Sequence, residues 1–319
     1  IFALKLFFNT MINAVIFFLL GFGLLYVGGE STLRGTLALA HKLKLSKLLV
    51  SALVIGFGTS LPELTVSLEA VLTGYPDIAL GNIIGSNTAN ILLVIAIAAI
   101  VSPIFTNEKS AAKDVVVMLL CTLALIVVKT LDLLNGMVGI AFLIALSLYI
   151  FFSYRSDVAD KNQQHEQAKK EKSGIKIACY CLVGIALLIA GGHLLINSAV
   201  TIARSFNISE AVIGLTVVAI GTSLPELTTA ILASIKKQND IIIGNILGSN
   251  IFNILGILGI TILVQPIPIT EAMANKGIIE MTVASILFAG LVFFRVPIGR
   301  VMGTLMLSGY FAYLFFILN

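Results

Sequence analysis

Residues Gly58 to Leu64 read G-T-S-L-P-E-L, and residues Gly221 to Leu227 read the same seven letters. A second motif follows each copy at the same distance. It is G-N-I-I-G-S-N-T-A-N from Gly81 to Asn90, and G-N-I-L-G-S-N-I-F-N from Gly244 to Asn253. The offset is 163 residues (221 minus 58), with no insertion between the motifs. The correspondence reaches further: Gly28-Gly29 matches Gly191-Gly192, and the apolar run 11–29 matches 174–192. Each copy sets a glutamate beside a proline in apolar surroundings. Proline has no N–H to give, so the carbonyl four residues back, at Gly58 or Gly221, loses its helical partner. In lipid such a carbonyl survives only where it faces protein or water. Duplicated broken helices carrying acids point to a transport site at a repeat interface.

Composition agrees with a membrane setting. Hydrophobic residues make up 58% of the 319 and charged residues 11%, against roughly 25% charged in soluble domains. Mean hydropathy is +1.06, and apolar runs recur along the whole length, as in a polytopic membrane protein. The net charge of +4 is small and dispersed, so nucleic acid is not an expected partner; the lipid bilayer is. The first 27 residues are read as a transmembrane helix and not a cleaved leader, because the second repeat has an equivalent segment. The three cysteines, Cys121, Cys179 and Cys181, sit in apolar runs and are read as small hydrophobes.

The pattern predicts an all-α polytopic membrane protein with ten transmembrane helices. In the first half they cover roughly 11–29, 36–74 with a break near 58–62, 77–101, 114–131 and 133–153. In the second they cover roughly 174–192, 199–237 with a break near 221–225, 240–264, 273–294 and 299–318. The expected organisation is a five-helix repeat over 11–153, a polar linker over 154–173, and a second repeat over 174–318. An odd number of spans per repeat means that the halves enter the membrane from opposite sides, as inverted repeats. Charge supports this arrangement. With both termini outside, only Lys5, Lys129, Arg204 and Lys276 of the 20 Lys and Arg fall outside, leaving 16 on the inner side with the linker. The positive-inside rule therefore places the linker in the cytoplasm of a cell-membrane protein.

Freed carbonyls, hydroxyls and a carboxylate are oxygen ligands of the kind hard cations prefer. The first motif supplies Thr59, Ser60 and Glu63, and its copy Thr222, Ser223 and Glu226. Thr59 and Glu63 share a helical face, as do Thr222 and Glu226. A charged Glu at the bilayer centre costs about 2.5 kcal/mol or more and marks a functional site by default. One such Glu is as readily a neutral or snorkelling side chain; two at equivalent repeat positions argue for a site. The second motif places Asn82, Ser86 and Asn90 four apart on one face, repeated by Asn245, Ser249 and Asn253. Ser86, Asn90, Ser249 and Asn253 are the favoured ligands. Asn82, Asn87, Asn245 and Asn250 serve equally well as interhelical hydrogen-bonding groups. Glu30 and its counterpart His193 are read as capping or packing residues. Asp77 and Asp240 are read as N-caps or first-turn charges. No P-loop, Cys/His metal spacing or nucleophile–base pair is present, so neither ATP nor an enzymatic reaction is implied, and no cofactor is expected.

At these residues the chain resembles the cation/calcium exchanger superfamily, and most of all its prokaryotic sodium/calcium exchanger branch. The resemblance implies two inverted five-helix repeats with broken second and seventh helices around a midplane site. It also implies long, loosely packed first and sixth helices whose sliding exposes that site to each side in turn. Carried over by motif, Glu63, Glu226, Thr59 and Thr222 correspond to a Ca²⁺ site. Ser86 with Thr59 and Glu226, and Ser249 with Thr222 and Glu63, correspond to Na⁺ sites. The carbonyls of Gly56 and Ala219 align with sodium ligands, and Asn90 and Asn253 with a central polar pair. Some relatives, including potassium-dependent ones, carry Asp where this chain has Asn253. The implied function is exchange of Na⁺ for Ca²⁺ by a carrier working as a monomer. The alternatives are H⁺/Ca²⁺ antiport through the same Glu pair, and a passive cation channel.

Overall fold

The computed structural model describes residues 2–106, 109–159, 173–205, 219–267 and 277–318. Every regular element among them is helical; the one extended pairing is an isolated bridge between Ile104 and Ile298. In chain order these are α1 (Phe2–Leu43), α2 (Lys47–Thr59), α3 (Leu61–Leu72), α4 (from Pro76 to Val101), α5 (Lys109–Thr130) and α6 (Gly136–Ala159). Then come α7 (Gly174–Ser205), α8 (Ala219–Thr222), α9 (Leu224–Ile235), α10 (from Asn239 to Val264), α11 (Ile278–Phe293) and α12 (Arg300–Leu318). Helices α1, α4, α5, α6, α7 and α10 are each long and apolar enough to cross a bilayer, and α2 with α3 forms a further span bent by 41°. The protein is an all-helical, multi-pass membrane protein.

Several expected boundaries move; the fifth helix, expected over 133–153, runs from Gly136 to Ala159 and so into the expected linker, and the largest shifts are elsewhere. The sequence pattern puts the first helix at 11–29 and the sixth at 174–192, yet α1 runs on to Leu43 and α7 to Ser205. The residues expected to stop them do other work. Gly28 lies where a methyl group would come within 2.7 Å of the Leu188 amide nitrogen and 2.8 Å of the Gly184 carbonyl oxygen. Small residues there let α1 and α7 pack backbone to backbone as an antiparallel pair. Glu30 neither caps nor ends α1. Arg34 pairs with it at 2.6 Å one turn on, and Lys236 at the end of α9 pairs with its other oxygen. With its charge met by both, the helix continues. Its counterpart His193 is exposed. The second span accordingly begins at Lys47 and not near 36.

Burial separates the centre from the periphery. The spans in α4 and α10 are 78% and 83% buried, against 22% for those in α1 and α6. A helix apolar on all sides belongs inside, and α4 and α10 are the two that carry the second motif. Around them pack α3 and α9, α5, α11 and α12. Helix α10 also lies along α2. There a methyl group on Gly244 would strike the Leu48 carbonyl, and one on Gly248 the Ala52 carbonyl. Helices α4 and α10 each pass through a π-helical turn, at Asn90–Ile95 and Asn253–Leu258, again 163 residues apart (253 minus 90). A third π-helical stretch, Ser51–Gly56, lies in α2. Most of the expected linker, 160–172, and residues 206–218 of the expected seventh helix lie outside the described residues.

Candidate functional site

Both copies of G-T-S-L-P-E break the helix at serine. Ser60 (φ −83°, ψ 8°) separates α2 from α3, and Ser223 (φ −86°, ψ 7°) separates α8 from α9. These angles fall in the sparsely populated bridge region, where many active-site residues sit. Pro62 and Pro225 occupy the first turn of the helix that follows. Their missing N–H has no intrahelical partner to lose there. Glu63 and Glu226 share that first turn, so each carboxylate faces the positive end of a helix dipole. The motif thus breaks the helix and makes the break hospitable to an acid.

The two acids meet in the interior. Each is 1% exposed, and Thr59, Ser60, Thr222 and Ser223 are buried with them. The Ser60 hydroxyl donates to Glu226 Oε1 across 3.1 Å, while the Thr59 hydroxyl donates to the Ile55 carbonyl at 2.9 Å. The Glu63 and Glu226 carboxylates are close enough to repel each other. Among the described residues, Glu63 Oε2 and Glu226 Oε2 are both buried without a hydrogen-bond partner, as is the Ser223 hydroxyl. An orphaned buried acceptor costs about 1–3 kcal/mol, and such a group in a native fold calls for an explanation.

The asparagines of the second motif divide into two jobs. Asn82 donates to the Glu63 carbonyl and the Ser67 hydroxyl, both at 3.0 Å, fastening α4 to α3. Asn245 does the same for α10 and α9 through Thr229, at 3.1 Å. Asn87 and Asn250 bond each other's backbone carbonyls at 3.3 and 3.5 Å, cross-linking α4 and α10. Their side-chain oxygens accept from the second pair: Asn90 Nδ2 to Asn250 Oδ1 at 3.0 Å, and Asn253 Nδ2 to Asn87 Oδ1 at 2.9 Å. That leaves Asn90 Oδ1 and Asn253 Oδ1 buried without partners among the described residues. Each begins one of the two π-helical turns, an irregularity frequent at functional sites and one that sequence spacing did not suggest.

The remaining candidates fall around this centre. The Ser249 hydroxyl donates to the Gly56 carbonyl at 3.0 Å, joining two candidate ligands from opposite halves. Ser86 is 4% exposed. Ala219 opens α8, but its side-chain surroundings lie outside the described residues, as do those of Asp77. Asp240 is in the first turn of α10 without capping it; Gln238 stands at the N-cap. Cys121 and Cys181 are buried free thiols and Cys179 is exposed. No group of three or more His, Cys, Asp or Glu able to hold a metal occurs among the described residues. The donors gathered here are two carboxylates with hydroxyl, amide and carbonyl oxygens, a set suited to Na⁺ or Ca²⁺ and not to soft metals.

Comparison with known proteins gives consistent results. The family model described as sodium/calcium exchanger protein matches residues 13–155 and again 176–319. The putative antiporter CaxA of Alkalimonas amylolytica is 34% identical over 282 residues, covering 86% of this chain and 88% of that relative. The sodium/calcium exchanger MaX1 of Methanosarcina acetivorans is 26% identical over 294 residues, covering 79% of this chain and 83% of that relative. Among solved structures, the sodium-calcium exchanger NCX_Mj soaked with Na⁺ and Sr²⁺ superposes with a TM-score of 0.82. It is 31% identical, with 95% of this chain and 97% of that one covered.

Proposed function

The chain belongs to the sodium/calcium exchanger protein family and is a cation/Ca²⁺ antiporter, not an enzyme; we propose that its counter-ion is Na⁺ and that Glu63 and Glu226 hold both ions in turn. The observation that carries this reading is the pair of orphaned carboxylate oxygens, Glu63 Oε2 and Glu226 Oε2, buried at the junction of the two repeated motifs. Thr59, Thr222, Ser60, Ser223, Ser86 and Ser249, with the amide oxygens of Asn90 and Asn253 and the carbonyls of Gly56 and Ala219, complete the set from which each ion draws its ligands.

Charge makes the arrangement an exchanger. Two carboxylates neutralise one Ca²⁺ or two Na⁺ in a poorly solvated site, where an unmatched charge is costly. The empty carrier holds two unneutralised negative charges and does not readily change sides, so ions move only against one another. Alternating access then requires the gate pair α1 and α7 to shift against the core that holds α4 and α10. The ten spans form two inverted repeats, 11–153 and 174–318, joined by a cytoplasmic linker at 154–173 whose first residues, 154–159, continue α6. The two stretches matched by the family model support that division. The excess of Lys and Arg on the linker side supports both termini lying outside. One chain contains a complete set of ligands, which supports a functional monomer.

The test is ⁴⁵Ca²⁺ uptake into proteoliposomes loaded with Na⁺ and diluted into Na⁺-free buffer, with pH clamped and K⁺ absent. Uptake that requires internal Na⁺ is the expected result. Uptake driven by a pH gradient alone would make protons the counter-ion. Uptake without any counter-ion would indicate a channel. Glu63→Gln and Glu226→Gln should each abolish uptake in protein that still folds; normal flux in either would refute the ligand assignment.

A further inference from the structure

Glu30 is the one acid in the sequence of α1, and its side chain is 18% exposed. Each of its oxygens has a cation of its own. Arg34 Nε meets Oε1 at 2.6 Å from the next turn of the same helix, and Lys236 Nζ meets Oε2 from the end of α9. The first pair is internal to α1. The second ties α1 to the helix that carries Glu226 in its first turn. Lys236 stands at the C-cap of α9, where the helix dipole favours a cation.

The pair closes over an apolar contact. Thr228, Leu232 and Lys236 are four apart and share one face of α9. A methyl group on Gly29 would come within 2.6 Å of Leu232 Cδ1 and 3.1 Å of Thr228 Cγ2, so α1 lies directly on that face. Leu33, one turn on from Gly29, is buried in the same apolar cluster as Leu232. Ten residues separate Lys236 from Glu226 (236 minus 226), about 15 Å along the helix at 1.5 Å per residue. Where α1 leaves α9, this face becomes a path from the Lys236 end toward the paired acids.

The tie is one-sided. The counterpart of Glu30 is His193 and that of Lys236 is Thr73, 163 residues away in each case. Thr73 carries no charge, and its hydroxyl donates to the Glu69 carbonyl of the helix it follows, at 2.7 Å. His193 is exposed. An ion pair at one of two equivalent places favours one of the two arrangements that α1 and α7 can take against the core.

We propose that Glu30 and Lys236 form a latch that holds α1 on α9 and favours the arrangement in which this face of the core is covered. The latch rests on the reading of α1 and α7 as the pair that moves. It biases the carrier without locking it, because an ion pair between partly exposed side chains shifts an equilibrium by up to about fivefold. Salt weakens such a pair.

The test reads undocking directly. Cys121, Cys179 and Cys181 are replaced by alanine, and Leu232, 7% exposed beneath α1, is replaced by cysteine (Leu232→Cys). The rate at which a maleimide alkylates that thiol in proteoliposomes reports how often α1 leaves α9. Lys236→Gln and Glu30→Gln should each raise the rate about two- to fivefold, and the double variant should add little to either. Arg34→Gln breaks only the pair internal to α1 and should label no faster than the parent. Choline chloride should speed labelling of the parent but not of Lys236→Gln. A rate left unchanged by Lys236→Gln and Glu30→Gln, or raised as much by Arg34→Gln, would overturn the latch. Labelling needs no transport, so it decides the latch even where Na⁺-driven uptake fails. For the link to transport, Glu30→Cys with Lys236→Cys is joined by a bifunctional methanethiosulfonate reagent. Uptake of ⁴⁵Ca²⁺ should stop and return on adding reductant; uptake at the uncrosslinked rate would overturn the claim that α1 must leave α9.

Discussion

Replacing Gly248 with alanine should uncouple α10 from α2. The added methyl group would meet the Ala52 carbonyl oxygen and come within 2.6 Å of the Ala52 Cα and 2.8 Å of its carbonyl carbon, all backbone atoms of the opposing helix. Ordinary contact begins near 3.4 Å, so the helices must separate by about 1 Å, since carbon atoms rest 3.5–4.0 Å apart. Backbone cannot turn aside as a flexible side chain does, and overpacking of this kind costs about 1–3 kcal/mol. The next residue, Ser249, donates to the Gly56 carbonyl at 3.0 Å, and a shift of that size breaks the bond. Removing one oxygen from an ion's shell, on the scale of a hydrogen bond to a charged group, costs about 1–2 kcal/mol, or about five- to thirtyfold in Kd. Gly290→Ala is the control, because nothing lies within 4 Å of the methyl group there. Thermal unfolding in detergent and ⁴⁵Ca²⁺ exchange in proteoliposomes read the two effects. Gly248→Ala should melt several degrees lower and exchange at a small fraction of the parent rate, with Gly290→Ala at or above parent stability. Matching behaviour of the two variants would refute the claim that this interface positions the site.

Three further outcomes are expected. Asn253→Asp replaces a donor to Asn87 Oδ1 at 2.9 Å with an acceptor, so the ion-free protein should lose about 1–3 kcal/mol; Ca²⁺ should restore more stability to the variant than to the parent, and an unchanged ion-free melt would contradict the network described. Ser60→Ala removes the hydrogen bond to Glu226 and should cost about 1 kcal/mol in ion-free unfolding. Ser223→Ala removes a hydroxyl without a partner and should cost almost nothing, so equal losses would show that the two halves are bonded alike. Gly28→Ala, crowded by the backbone of Gly184 and Leu188, should destabilise the protein by about 1–3 kcal/mol. Gly23→Ala on the same helix meets nothing and should not, which circular-dichroism melting can check.

Much of the centre was legible because its chemistry is local. The serine-centred break, the proline in the first turn and the acid beside it follow from seven consecutive residues. Their recurrence 163 residues on made Glu63 and Glu226 a pair before any contact was known. Helix ends were less legible. Gly28-Gly29-Glu30 has the composition of a stop, and only the neighbours reverse that reading: α7 fills the glycine surface, and Lys236 with Arg34 meets the charge. The asparagines show a different limit. Asn82, Asn87 and Asn90 are similar residues on one helix, and spacing leaves their roles open. The structure gives Asn82 to α3, Asn87 to α10 and leaves the oxygen of Asn90 without a partner.

By itself, then, the sequence determined the membrane setting, the duplication, the positions of the breaks and the identity of the two acids. Each of these depends on hydropathy, on proline's missing N–H or on an exact repeat, none of which needs a distant neighbour. Only the tertiary structure decided that α1 and α7 lie backbone to backbone, that α10 rests on the π-helical stretch of α2, and which of the buried oxygens are left without a hydrogen-bond donor. Those are properties of pairs of segments from opposite halves, set by how closely glycine surfaces let two backbones approach. No single stretch of chain encodes them.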